Sequence, residues 1–176
     1  SGAKNNDDIY MVVDNQIVKN NEPIATFLND NNILNSQIIS SVIYYLTSET
    51  LYSLNEDNTL SSVFELPQYL KCVNPCADDY GFSDMENING NFYFSVRNNG
   101  LLITDADFVI LENVILNSIF SNLLTSIKYN DNNDNLYGIS KEGGSIISQP
   151  LSISNNTYVR NFYPLNFDSN DENLDL

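Results

Sequence analysis

The chain has 176 residues, 42% of them hydrophobic, which suits one domain with a buried core. Seven Lys and Arg stand against 23 Asp and Glu, for a net charge of −16, and the cations (Lys4, Lys19, Lys71, Arg97, Lys128, Lys141 and Arg160) are scattered along the sequence. With no basic patch to displace counterions from phosphates, nucleic acid is not expected as a partner and an anionic membrane surface is disfavoured, while a basic protein or a cation is electrostatically welcome.

Eleven Tyr and nine Phe with no Trp favour strands, because aromatic side chains suit a pleated, half-buried surface. Thirty Asn stand against seven Gly. The codon bias of an AT-rich genome explains the larger part of that excess. The structural part is Asn serving turns in the left-handed conformation that Gly would otherwise supply.

In chain order, residues 1–8 read as a tag or flexible start, with Ser1-Gly2-Ala3 resembling a cloning scar or domain cut. No apolar run is long enough to span a bilayer as a helix, so no membrane insertion is expected. Residues 9–165 carry a repeat. An apolar–Tyr pair recurs as Ile9-Tyr10, Leu51-Tyr52, Phe92-Tyr93 and Leu136-Tyr137, at Tyr-to-Tyr spacings of 42, 41 and 44 residues. Each pair opens a strand, a polar turn and a second strand. The turns Glu56-Asp57-Asn58, Asn98-Asn99-Gly100 and Glu142-Gly143-Gly144 hold residue types that accept the positive φ of tight hairpins. Within Phe92–Val96, alternation places Phe92, Phe94 and Val96 on one face and Tyr93 and Ser95 on the other.

A second echo, Ile33-Leu34-Asn35-Ser36 and Ile115-Leu116-Asn117-Ser118, returns after 82 residues, or two repeats. The apolar positions of 33–46 and 111–127 fit a helical face as well as strands. Ile, Val, Ser and Thr dominate there, so strands are expected, and helices would make the fold α+β. A repeat of three or four short strands in ~42 residues is the size of a propeller blade. The expected fold class is therefore all-β and β-propeller-like, with about four blades, either a closed ring or part of a larger one. Thr157–Leu165 is expected to complete the first blade, and Asn166–Leu176 to form an acidic disordered tail.

The third repeat departs from the others. Leu66–Asn91 is rich in turn residues and holds Cys72 and Cys76, spaced for a disulfide or left as two free thiols. With no His in the chain, structural zinc is not expected there. Asp78, Asp79, Tyr80, Asp84 and Arg97 are the candidate binding surface, in a segment whose acidic residues are Asp78, Asp79, Asp84 and Glu86. As paired carboxylates, the acidic residues would also suit glycoside hydrolysis. Asn130–Asn135 gathers oxygen-bearing side chains. It reads as an inter-strand turn, and Asp131 and Asp134 are the candidates if Ca2+ binds.

The residues also resemble known propeller repeats. Leu123–Ser148 and Phe92–Leu102 are similar to blades of the two-component-regulator type, and Ile43–Thr59 to YWTD-type repeats, although no Trp is present and Asn-Thr replaces Asp-Gly in the second unit. The resemblance implies architecture and a ring face that binds proteins, peptides or glycans. It transfers no catalytic set, and no cofactor is expected. Without His, a P-loop or a dinucleotide fingerprint, the chain reads as a non-enzymatic interaction or scaffolding module with a protein partner. A carbohydrate-binding or adhesion module, an assembly protein self-associating through open edge strands, and a glycoside hydrolase are the alternatives.

Overall fold

The computed structural model describes residues 2–5, 8–13, 16–26, 33–71, 80–97, 99–115, 124–140, 146–148, 151–152 and 163–165. The first sheet contains β1 (Gly2–Asn5), β2 (Asp8–Val13), β3 (Gln16–Lys19) and β4 (Glu22–Thr26), and the second β5 (Asn35–Ile39), β6 (Val42–Leu46), β7 (Thr50–Leu54) and β8 (Leu60–Glu65). The third contains β9 (Gly81–Ile88), β10 (Asn91–Arg97), β11 (Gly100–Thr104) and β12 (Ile110–Ile115). Then follow β13 (Leu124–Asn130), β14 (Asn135–Ser140), β15 (Ile146–Ser148), β16 (Leu151–Ser152) and β17 (Tyr163–Leu165). Of these, β13, β14 and β16 make a fourth sheet, while β15 pairs with β17. The first three sheets are sequential antiparallel meanders.

Within segments 33–46 and 111–127 the described residues form strands joined by turn or extended chain, and none of them is helical. The expected hairpin turn at 56–58 is present between β7 and β8, and Asn99 lies between β10 and β11 with Gly100 opening β11, whereas Asn98 and Glu142-Gly143-Gly144 lie outside the described residues. Asn does serve as a turn residue. Asn20-Asn21 and Asn89-Gly90 place both central residues at positive φ, as two-residue hairpins of matching twist require, and Ser40-Ser41 does the same.

Three expectations are corrected. Residues 2–5, read as part of a flexible start, pair with β2 and form the outer strand of the first sheet's order. That strand takes the place expected of the C-terminal segment, whose β17 pairs with β15 instead. The Leu-Tyr repeat is also out of phase with the sheets. Tyr10, Tyr93 and Tyr137 lie on the second strand of their sheets, but Tyr52 lies on the third, because Ile43-Tyr44-Tyr45 fills the second position. The tail 166–176 lies outside the described residues.

The sheets stack face to face, and their first strands meet in order, β1 against β5, β5 against β9 and β9 against β13. Each junction has its own apolar core. Tyr10 and Ile17 of the first sheet pack against Ile43 and Tyr45 of the second. Leu46, Leu51 and Phe64 of the second meet Phe82, Met85, Phe92 and Phe94 of the third. Ile88, Tyr93, Leu101 and Ile103 of the third meet Ile127 and Leu136 of the fourth. The alternation read in Phe92–Val96 thus holds: Phe92, Phe94 and Val96 face the second sheet and Tyr93 faces the fourth. Phe108 adds a ring to the middle core from a strained φ of 61°. Asp105 holds that turn by accepting from the Asp107 and Val109 amides at 3.0 and 2.9 Å, which aims Phe108 at Phe92, centroids 4.9 Å apart.

Of turn-rich Leu66–Asn91, residues 72–79 lie outside the described residues, and Gly81–Ile88 is the eight-residue strand β9, whose pairing with β10 bulges at Ser83. The crossover from β8 to β9 lands closely. The Phe82 amide donates to the Ser48 carbonyl at 2.7 Å, and Gly81, at φ 101°, sits where a Cβ would collide with that same oxygen.

Packing at these junctions has a consequence at high pH. Burial holds the Tyr45, Tyr93 and Tyr44 phenols above their ordinary range, and hydrogen bonds to Glu49 and Asp134 do the same for Tyr80 and Tyr129. A raised folded value favours the protonated form. The stabilisation is therefore complete below the ordinary phenol value near 10 and is lost as pH climbs through the folded values, at about 1.4 kcal/mol per pH unit for each buried ring. In a joint titration of circular dichroism and tyrosinate absorbance, part of the absorbance rise is expected to coincide with the loss of dichroism above that value. Full tyrosinate absorbance reached with the dichroism intact would contradict the packing.

Candidate functional site

Polar side chains converge where three first strands meet. They follow one two-residue spacing: Asn35 and Gln37 on β5, Asp84 and Glu86 on β9, Ser126 and Lys128 on β13. Period-two alternation puts each pair on one side of its strand, so the pairs form two levels. At the first level Asp84, buried, accepts from the Asn35 side-chain amide and the Met85 amide (2.9 Å) on one oxygen, and from the Ser126 hydroxyl (2.6 Å) and the Ile127 amide (2.9 Å) on the other. At the second level Glu86, also buried, accepts from Gln37 Nε2 at 3.1 Å and from Lys128 Nζ at 2.8 Å. Asn35 and Gln37 also donate to the Met85 carbonyl, at 3.2 and 2.7 Å.

Each carboxylate is thus a two-sided clasp holding the second and fourth sheets to the third. Buried polar groups have to be hydrogen-bonded, and here the partners come from neighbouring sheets. General acid–base work needs a lone pair or proton aimed at substrate space. In this arrangement every Asp84 and Glu86 oxygen is engaged by an adjacent strand.

Asp84 and Glu86, expected in an acidic loop, are therefore strand residues of the interior. Cys72, Cys76, Asp78 and Asp79 lie outside the described residues. Tyr80 anchors the end of the crossover by donating its hydroxyl to Glu49 Oε1 at 2.7 Å, and Lys71 stands 3.6 Å from the other Glu49 oxygen. Arg97 closes β10 opposite Gly81, so Tyr80 and Arg97 share one end of the third sheet, while Asp84 lies deeper along β9. Asp131 and Asp134 lie in the β13–β14 turn, as the turn reading expects. Asp134 takes a positive φ and accepts the Tyr129 hydroxyl at 2.9 Å. Among the described residues no group of three or more His, Cys, Asp and Glu side chains is placed to hold a metal ion.

Sequence reasoning missed Asn35, Gln37, Ser126 and Lys128. The signal was present as polar–x–polar within the first strands of the second, third and fourth sheets. It also missed an apolar edge. Val109 and Leu111, 58% and 54% exposed, flank Ile110 at the start of β12, the outermost strand of the third sheet, which pairs on its outer side with no other described strand. Tyr45 and Tyr93, by contrast, are packed between sheets rather than offered to a sugar.

No protein-family model and no curated protein matches the chain. Solved structures do. The chain superposes on the WD40 domain of Neurospora crassa Pan2 with a TM-score of 0.62 at 7% identity, over 93% of this chain and 48% of that one. The fold is that of a β-propeller. The computationally designed Ika4 protein gives a TM-score of 0.59 at 8% identity, over 86% of this chain and 89% of that one. The extracellular domain of a hybrid two component system from B. thetaiotaomicron gives 0.60 at 16%, over 94% of this chain and 22% of that one. The chain therefore spans about half of the Pan2 domain and about a fifth of the bacterial one.

Proposed function

We propose that this propeller arc is a non-enzymatic interaction module that docks an extended protein segment along β12. The observation carrying this reading is the run Val109–Leu111, three consecutive exposed apolar residues that lead into and open β12, whose outer side pairs with no other described strand. Exposed edges of this kind recruit extended chains, with backbone bonds giving affinity and alternate side chains giving specificity. The clasped carboxylates support the same reading from the other side, because they make a rigid frame instead of a reaction centre. Exposed Glu112 beside the run and the net charge of −16 favour a segment that alternates apolar residues with Lys or Arg.

A displayed library of extended peptides tests this. Alternating apolar and basic sequences are expected to be enriched, and Leu111→Lys is expected to weaken them at least about tenfold, roughly 1.4 kcal/mol, with the melting temperature unchanged. Binders indifferent to Leu111→Lys and Val109→Lys would place the docking surface elsewhere.

A further inference from the structure

The first sheet has an apolar face that no other described sheet covers. Along β2, Tyr10 and Val12 point at the second sheet, and alternation sends Ile9, Met11 and Val13 the other way, where they are 50%, 36% and 48% exposed. Val18 of β3 stands opposite Met11 on that same face. β2 is an interior strand of its sheet, so this is the flat of the sheet and not its rim. At every other described junction such a face is met by an apolar partner sheet.

We infer that a second copy of this chain covers this face, and that two copies close one ring of eight sheets. The first sheet of each copy packs on the fourth sheet of the other, by a twofold axis that makes the junction twice. The new junction continues the series already formed within the chain, first sheet on second, second on third and third on fourth. The arc also has the right extent. It superposes on 48% of the Pan2 WD40 domain, so one more arc of the same size matches that length. On the fourth sheet Leu136 faces inward, which puts half-buried Tyr137 on the outer flat where β2 of the partner copy would arrive. A pair of identical junctions related by a twofold closes without leaving a growing end.

Charge opposes this pairing, since each copy carries −16. The assembly is therefore expected to tighten with salt, the reverse of a charge-driven interface, as the screening length falls from about 10 Å at 0.1 M to about 3 Å at 1 M. Sedimentation and light scattering of the full chain should give twice the 19.9 kDa of one copy, with the dissociation constant falling at least about tenfold over that salt range. Small-angle scattering should report a compact ring. Met11→Glu with Val13→Glu should give a monomer with unchanged dichroism. Ile9→Lys, a single change at a half-exposed site, should weaken the dimer in the same direction and stands in if the double variant fails to fold. A wild-type chain that stays monomeric in 1 M salt at its highest soluble concentration, an elongated dimer, or folded variants that dimerise like the wild type would each overturn the inference.

Discussion

Asp84→Ala is expected to destabilise the protein by about 3–5 kcal/mol, the cost of breaking a buried charged cluster from one side. Four donors lose their acceptor at once: the Asn35 side-chain amide, the Met85 amide, the Ser126 hydroxyl and the Ile127 amide. Each buried donor left unpaired costs about 1–3 kcal/mol, and partial relaxation keeps the sum below the simple total. For a chain of this size the melting temperature should fall by roughly 10 °C or more. Asp84→Asn is not a rescue. Both oxygens accept, so whichever way the amide is turned its NH2 group meets donors, and the Ser126 hydroxyl is the one partner able to rotate and accept. The amide variant should therefore lose most of what the alanine variant loses. Thermal melts of both variants beside wild type make the test. A catalytic carboxylate would behave in the opposite way, since removing a strained acid usually leaves stability unchanged or raises it.

The same logic explains why Asp84 and Glu86 were misplaced by sequence alone. A carboxylate two residues from another, in a segment full of Asp, Asn and Gly, has the local composition of a loop. What makes it interior is the arrival of Asn35 and Gln37 from 49 residues earlier and of Ser126 and Lys128 from 42 later. Contact between sheets is non-local, and no window of neighbours encodes it. Where the determinants are local, the reading worked. Phe92–Val96 alternates because a strand buried on both faces still sends successive side chains to opposite sides. The turn residues Asn58 and Gly100 are legible because positive φ restricts which residues fit.

Phase was harder to read than period. Ile43-Tyr44-Tyr45-Leu46 and Thr50-Leu51-Tyr52-Ser53-Leu54 are adjacent core strands joined by Thr47–Glu49, and both have the apolar–aromatic character of a second strand. Counting Leu-Tyr pairs picked the wrong one. The sheets begin at residues 2, 35, 81 and 124, so their spacing is far less even than the Tyr spacing suggested. Residues 2–5 were hidden for a related reason. Gly2-Ala3-Lys4-Asn5 has no β-branched or aromatic residue, and it is a strand because β2 has an edge to pair.

Phe94→Ala is the second large effect expected, at about 3–5 kcal/mol. Phe94 is fully buried at the junction of the second and third sheets, with Phe64 stacked at 5.3 Å from one side and Phe82 and Phe92 at 5.0 and 6.0 Å on its own sheet. Only Phe64 reaches it from the second sheet in this aromatic group, so truncation removes ring contact across the junction as well as within the sheet. Phe94→Leu keeps part of the volume and should cost less, about 1.5 kcal/mol. A double-mutant cycle between Phe64 and Phe94 separates the two contributions, with a coupling of about 0.5–1.5 kcal/mol expected for a stacked pair. In a stack of sheets where each contacts its neighbours, stability is a sum of sheet and junction terms. Weakening this middle junction should therefore split a single denaturation transition into two, with the first and second sheets melting apart from the third and fourth. A variant that still melts in one step, at a cost below about 1 kcal/mol, would mean that the second and third sheets are held by the carboxylate clasp and not by the rings.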